Sequence, residues 1–547
     1  MRRVLLLLLL LPLVARAQVF VREPEEVAWG EDRIRIRWVT DQPVEARLQY
    51  GRTEALELGE QIVPASGTEV QVELQGLNPA TIYWVAVALQ GGARFGPWPV
   101  ITASRSSAQV RAFFTCSVDP SAVPGPGAEG EANLLSFLLE RIRAARASID
   151  VAIYSFGDEG GIEALVDALI EAHRRGVRVR LITEDRAGIS TGVGRLRAAG
   201  LPVSADNVGA NDGSGLMHHK FAVFDYLTPD PLDDWVLLGS WNWTRQQTWT
   251  DCQNVLWVQD QALAAVFVQE FEEMWGSSGP VPDPEQARFA VRKRDNTPHR
   301  LRVGSRRVEV YFSPSDSTAR ALGRLLAGTE RALYVAMSTF THGGLANTLL
   351  ERLRAGVDVR VILDNPTATG SQYGFLQAGG VETRVWPFSP GRLLHHKYAI
   401  LDNRVVVTGS FNWTFSADRR NDEHLVVFFD TDLASMFLQE WAARYREVGG
   451  SRPLTWLGSS PDPGPDLHGP RLFPQPADAD GVMVAWDYEG PVQVDIYSIT
   501  GRRLWSATFR ALAPRWRLPF PKLLPGVYGI TFSTPTGMWR RLLWVRF

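Results

Sequence analysis

The chain has 547 residues, too many for one ordinary domain at a prior of roughly 150 residues each, so three or four domains are expected. Hydrophobic residues make up 45% and charged residues 21%, which excludes wholesale disorder. The net charge of -3 offers no overall attraction to polyanions and counts against a processive nucleic-acid binder, although a local basic groove would not show in the sum.

In chain order, residues 1–17 come first and read as a signal peptide: Arg2-Arg3, an apolar run from Val4 to Val14, then Ala15-Arg16-Ala17 as a small-x-small cleavage site. A transmembrane anchor would need about 20 apolar residues, and Pro12 interrupts this run. Export is therefore expected, with a mature chain starting near Gln18 and a destination in the cell envelope or outside the cell. Residues 18–106 alternate as strands do, in Ile34 to Trp38 and in Val70 to Leu74. With Trp38 upstream of Leu74, Leu77, Pro79, Thr81 and Tyr83, the segment resembles a fibronectin type III domain, which implies a β-sandwich with Trp38 in the core and Tyr83 as a corner tyrosine.

The middle of the chain repeats itself. Ile149 to Phe156 returns as Leu333 to Phe340; amphipathic helices follow at Ile162 to Arg174 and Leu345 to Arg354; then come Gly176 to Ile182 and Gly356 to Ile362. Strand, helix, glycine, strand is the βαβ pattern, and mostly apolar strands suit a sheet covered on both faces. Two α/β units are expected, at 107–290 and 291–450, with the charged stretch Arg292 to Arg302 as the crossover. A Pro/Gly-rich linker falls in 451–470, densest from Ser459 to Pro470. Residues 471–547 alternate again and loosely resemble the immunoglobulin-like tails of exported bacterial proteins, which implies a second β-sandwich for attachment, sorting or an accessory role.

Each repeat ends in one cluster. The first holds His218-His219-Lys220, Asp225 and Gly239-Ser240-Trp241-Asn242; the second holds His395-His396-Lys397, Asp402 and Gly409-Ser410-Phe411-Asn412. Of 57 basic residues only four are lysine, Lys220, Lys293, Lys397 and Lys522, and two of these four occupy equivalent places in the repeat. A sequence that otherwise writes arginine has kept a compact ammonium beside a histidine. On an extended strand residues i and i+2 share a face, so His218 and Lys220 meet one ligand while His219 points away, and likewise for His395, Lys397 and His396.

The two clusters resemble the phospholipase D superfamily, whose signature is His-x-Lys, four residues, Asp, then Gly-Ser-x-Asn. The second copy has the usual gap between Asp402 and Gly409; the first carries Tyr226 to Leu238 there, read as a surface loop. The resemblance implies two tandem α/β units forming one pseudo-twofold catalytic domain, flanked by the two β-sandwiches. It also implies a two-step phosphoryl transfer through a phosphohistidine, with no metal and no cofactor. Lys220, Lys397, Asn242 and Asn412, with hydroxyls from Ser240 and Ser410, would hold the phosphate oxygens. Asp225 and Asp402 would support the local backbone.

In this family an acidic residue eleven positions past the Asn orients the imidazole. Here that is Glu423 in the second repeat but Gln253 in the first. Glutamine holds a tautomer without neutralising an imidazolium, so His218 and His395 should differ in basicity, with His395 the better supported if Glu423 pairs within its own repeat. Asp251 stands two residues away as a substitute. The nucleophile stays open, with His218 favoured by the resemblance alone. Cys116 and Cys252, the only cysteines, fall near the expected cleft of the first repeat and are expected to form a disulfide, the alternative being two buried thiols.

Three functions compete. The first is hydrolysis of phospholipid head-group diesters, with contact to a membrane surface, favoured by export and by 19 tryptophans, of which Trp241, Trp243 and Trp413 flank the motifs. The second is a metal-independent nuclease; the third is a binding or adhesion protein with a decayed site. Both motifs lie in one chain, so a monomer without an obligate partner is expected.

Overall fold

The computed structural model describes residues 18–455 apart from 189, 210–212 and 388–390, and beyond 470 seven strands between Arg471 and Val545 with parts of their connections. The expected signal peptide and the densest part of the linker lie outside the described residues. The described residues up to 455 belong to one compact unit and those beyond 470 to a second. Among the described residues no helix is long and apolar enough to cross a membrane.

Residues 20–101 form two antiparallel sheets. Phe20–Trp29, Arg33–Thr40 and Glu69–Gln75 make one; Gly59–Val63, Ala46–Gly51, Ile82–Leu89 and Arg94–Ile101 make the other. The alternation read from the sequence puts Ile34, Ile36, Val70 and Val72 inward, where they meet Leu48, Val85 and Val87 of the facing sheet around Trp38. The Tyr83 hydroxyl accepts the Asn78 amide at 2.8 Å. This module is bonded to the two repeats: the Ser104 hydroxyl donates to Asp260 at 2.6 Å, and Arg300 pairs with Glu25 at 3.2 Å.

The duplication is visible in topology. In the first repeat Val203–Ala205, Arg178–Thr183 and Ser148–Ile153 run parallel and continue antiparallel into Lys220–Phe224, Trp235–Gly239, Asn254–Gln259 and Val110–Phe114. The second repeats that order with Glu382–Val385, Asp358–Leu363, Ala332–Met337, Lys397–Leu401, Val405–Gly409, Glu423–Phe429 and Arg306–Ser313, adding Arg300–Val303 at the edge. Ser148–Ile153 and Ala332–Met337 are buried along their whole length, as strands covered on both faces must be. Helices Glu163–Arg174 and Gly343–Arg354 make the crossovers.

A long helix closes each repeat. Gln261–Trp275 starts at Asp260, whose carboxylate accepts the Leu263 amide, and stops at Gly276 in the left-handed region; Thr431–Glu447 starts at Asp430 in the same way. Phe267 and Phe271 of the first helix and Phe437 and Trp441 of the second share one core with Phe221, Phe312, Tyr398 and Phe428 of both sheets. Each repeat has a further core of its own. The shared core fixes the two halves against each other, which is what a composite site requires.

Two boundaries differ from the sequence reading. The insertion after Asp225 ends at Asp234, because Trp235–Gly239 is a central strand, and Pro231 within it accepts hydrogen bonds from Ser106 and Gln259. Alternation across Trp235 to Leu238 was hidden by an all-apolar run. The stretch from Arg292 to Arg302 is more than a crossover, since Lys293 is buried and Arg300–Val303 pairs with Arg306–Ser313.

By itself, the C-terminal unit is a seven-stranded sheet from Arg471–Asp478 to Gly537–Val545, with Val484, Val492, Val494, Ile496, Leu518, Ile530 and Phe532 buried.

Candidate active site

The segment before each His-x-Lys pairs with the other repeat. The His218 amide donates to the Asp422 carbonyl at 3.0 Å and the Asp422 amide to Leu216 at 2.9 Å; reciprocally, the His395 amide donates to Cys252 at 2.9 Å and the Cys252 amide to Leu393 at 2.8 Å. Met217 and Leu394, the residues before the two histidines, are further held by the carboxylates of Asp206 and Asp364 at 2.9 and 2.8 Å.

This exchange decides the side-chain partners. His218 Nδ1 lies 2.8 Å from Glu423 Oε2, and His395 Nδ1 lies 3.0 Å from both Gln253 Oε1 and the Ser240 carbonyl. The expectation that Glu423 serves His395 within its own repeat is therefore corrected: it serves His218. Asp251 does not substitute at His395 either, because its Oδ1 accepts the Leu393 amide at 2.9 Å and the Gln246 amide at 3.2 Å. Facing carboxylate or carbonyl oxygens, each Nδ1 carries its hydrogen, so in the neutral ring the lone pair sits on Nε2.

Lys220 and Lys397 are buried, and each donates to the carbonyl of its own histidine, at 2.7 and 2.8 Å. The Tyr154 ring stands edge-on to His218, centroids 4.8 Å apart, and 5.0 Å from Lys220 Nζ. Asn242 Oδ1 accepts the Ser155 amide at 3.3 Å, which leaves its NH2 as the outward donor. Ser240 and Ser410 are placed differently from the sequence reading. Their buried hydroxyls donate to Gln253 Oε1 and Glu423 Oε2, each at 2.7 Å, and accept the Asn254 and His424 amides. Both serines thus lock the groups that orient the imidazoles and stand behind them rather than against a phosphate.

Asp225 and Asp402 lie at the far ends of the Lys220–Phe224 and Lys397–Leu401 strands, in the left-handed region with φ 61° and 51°. Asp225 accepts the Arg146 and Ala147 amides at 2.8 Å, and Asp402 the Arg331 and Ala332 amides at 2.7 and 3.0 Å. They fasten the chain that enters the neighbouring strand. Cys116 and Cys252 are bonded, Cα atoms 5.1 Å apart, tying the end of Val110–Phe114 to the residue before Gln253.

Alternation sends His219 and His396 the other way. His219 meets Glu270 at 2.8 Å and His396 meets Glu440 at 3.0 Å, both carboxylates coming from the long helices. Lys293 and Arg444 pair with those glutamates. The sequence reading did not single out Glu270, Glu440 or Tyr154. The glutamates could have been found, because they stand at one common spacing after Gln253 and Glu423.

Burial pushes both site histidines below the ordinary range. Glu423 pulls His218 back up, whereas Lys397, Lys220 and His218 push His395 down further, to well below its usual value. Burial likewise lowers Lys220 well below its usual value and brings Lys397 to about 7, in spite of Glu423. Burial alone would raise Glu423, but His218, Lys220 and the Ser410 hydroxyl outweigh it and hold it down. Glu423 is the carboxylate bonded to a site imidazole, Asp364 and Asp251 act on Lys397 from behind, and two lysines with two imidazoles gathered at one place make an anion the complement the site wants. Among the described residues, the clusters of His, Asp and Glu spaced for a metal are Asp295-His299-Asp316 and Glu184-Asp185-Asp206, and neither contains a site histidine.

A family profile described as cardiolipin synthase, PLD-like domain matches residues 138–275 and 322–444. The chain is 37% identical over 147 residues to a mitochondrial cardiolipin hydrolase of Xenopus tropicalis, covering 26% of this chain and 62% of that protein. It is 29% identical to a phospholipase D of Rickettsia bellii, covering 26% of this chain and 71% of that protein. The crystal structure of Nuc, a phospholipase D family member from Salmonella typhimurium, is 29% identical and covers 26% of this chain and 95% of that one, with a TM-score of 0.24. The chain spans less than two thirds of the length of the cardiolipin hydrolase, 62%. The profile falls once on each repeat, and each of its two matches takes in one His-x-Lys cluster with its Gly-Ser-x-Asn, so residues 138–275 and 322–444 each carry a phospholipase D-like domain.

Proposed function

We infer that the chain is a phosphodiesterase that hydrolyses phospholipid head-group diesters, with His218 as nucleophile and His395 as general acid and base. The observation that carries this reading is the crossed pairing, Glu423 on His218 and Gln253 on His395. A histidine phosphorylated on Nε2 while Nδ1 keeps its hydrogen is cationic for the life of the intermediate and gains from a carboxylate. A histidine that must give up a proton gains from a neutral partner, which keeps it the stronger acid.

In the first step the His218 Nε2 lone pair forms a bond to phosphorus, and the P–O bond to the leaving alcohol breaks. Protonated His395 delivers its Nε2 proton to that oxygen. In the second, neutral His395 takes a proton from water as its oxygen bonds to phosphorus, and the P–N bond returns its electron pair to His218. Lys220, Lys397, Asn242 and Asn412 hold the phosphate oxygens, where charge must be carried. No step needs a metal. All groups come from one chain, so a monomer suffices.

The lipid reading draws support from what similar proteins are called, cardiolipin hydrolase and phospholipase D. Export draws support from the leader-like residues 1–17 and from the Cys116–Cys252 bond, which belongs to an oxidising compartment. The flanking sheets are read as fibronectin type III-like and immunoglobulin-like accessory modules. The test is purified full-length protein in EDTA, given phospholipid vesicles and, separately, single-stranded DNA. Release of the head-group alcohol with a phosphatidyl product is expected. DNA cleavage without lipid turnover would make the chain a nuclease, loss of activity in EDTA would end the metal-free mechanism, and no activity on either substrate would favour a binding protein.

A further inference from the structure

Trp241, Trp243 and Trp413 beside the site are buried, so apolar contact with a lipid surface has to come from elsewhere. The structure offers it on two short helices at the rim. Arg245–Trp249 and Phe415–Arg419 are capped by Thr244 and Thr414, each two residues past a site asparagine. Trp249 is 50% exposed and Phe415 58%.

The second helix carries the more developed surface. Phe415 shares a shallow groove with Val291, itself 50% exposed, and with Ser214, Arg419 and Arg420. The groove adjoins the His218 half of the site: the chain runs from Ser214 to His218 on one side and from Arg420 to Glu423 on the other, and the two segments are bridged at Met217 and Asp422. Arg292, Arg419 and Arg420 are exposed. The carboxylate of this helix, Asp418, is buried, accepts the Ala319 amide and pairs with Arg419 at 2.7 Å. With Arg419 paired to Asp418, Arg420 leaves the groove positive.

We propose that this groove seats the protein on an anionic phospholipid bilayer, beside the His218 half of the site. Large apolar side chains set between arginines fit a layer of acidic head groups over hydrocarbon. A nucleic acid would also meet the arginines, and Phe415 could stack on a base, but Val291 has no ring to stack, so its exposure favours the bilayer. The proposal rests on the lipid reading of the site.

The experiment compares the full chain with the triple variant Val291→Ser/Phe415→Ser/Arg420→Gln. Co-sedimentation uses vesicles of phosphatidylcholine with and without phosphatidylglycerol, and bis(p-nitrophenyl) phosphate serves as a soluble substrate. The wild type should bind phosphatidylglycerol vesicles and leave pure phosphatidylcholine alone. The variant should lose at least about tenfold in partition, about fivefold of it from the arginine alone. Vesicle turnover should fall in step while the soluble diester is cleaved as before. Wild-type binding and vesicle turnover in an active variant would overturn the docking surface and leave the lipid reading intact. Weakened single-stranded DNA binding with unchanged vesicle partition would assign the groove to nucleic acid. A wild type that turns over no lipid would overturn the lipid reading and this proposal together. If the triple variant loses soluble activity, the single variants Phe415→Ser and Arg420→Gln, at exposed positions, carry the same comparison.

Discussion

His218 in the first repeat and Glu423 in the second are held 2.8 Å apart, so the acidic group of one half orients the imidazole of the other and favours positive charge on it. Its counterpart across the pseudo-twofold axis, Gln253 on His395 at 3.0 Å, shares the imidazole with the Ser240 carbonyl and lacks the charge. Most of the expected behaviour stems from that difference.

Replacing either histidine by alanine should reduce steady-state turnover to the background rate, but the two variants should fail differently. With bis(p-nitrophenyl) phosphate, whose leaving group needs no proton, His395→Ala should still release about one equivalent of p-nitrophenolate and then stall as the phosphohistidine. His218→Ala should release none. Rapid-mixing absorbance measures this, and a burst in His218→Ala would reverse the roles.

Gln253→Glu should give His395 the carboxylate it lacks. An opposite charge within hydrogen-bond reach favours the imidazolium, so the His395 pKa rises. The first step needs His395 protonated, so activity that falls as pH rises through this pKa should persist to higher pH. The alkaline limb of the kcat/KM profile should move up and its acid limb stay. An unmoved alkaline limb would mean that His395 is not the acid.

Asp225→Ala and Asp402→Ala should cost stability rather than catalysis. Each removes a carboxylate that accepts two or more backbone amides and leaves alanine at positive φ. A loss of about 2–3 kcal/mol is expected, with Asn tolerated better because it keeps an acceptor and adopts this conformation more readily. Urea unfolding and kcat measured on the same samples separate the two effects; a kcat loss without destabilisation would put these carboxylates at the substrate.

Cys116→Ser/Cys252→Ser should destabilise the first unit by about 2–5 kcal/mol, because the bond closes a long loop, the two cysteines being 136 residues apart. Thiol titration of denatured, unreduced wild type should find no free thiol; two free thiols would remove the bond and with it one argument for export.

How far the sequence carries can be judged from particular residues. The βαβ units, the inward faces of Ile34 and Val72 and the opposite headings of His218 and His219 follow from periods of two residues or of a helical turn, which are local and survive without a structure. The partner of Glu423 does not follow, because spacing within a repeat says nothing about which copy a strand end will meet; only the bridge from Met217 to Asp422 decides it. Ser240 and Ser410 were misplaced for a related reason: a motif says which residues gather, not which of them stands in front. Trp235 to Leu238 read as loop because an all-apolar strand, buried from Val236 onward, shows no alternation.

The reciprocal bridges also bear on how such a chain could have arisen. Were each half once a separate polypeptide, two identical copies would have crossed in the same manner, and a single position would have served both imidazoles. No substitution could then have left one imidazole with an acid and the other with an amide. Joining the copies end to end removes that constraint, and Gln253 opposite Glu423 is a difference that two identical copies could not carry and a fused pair is free to accumulate.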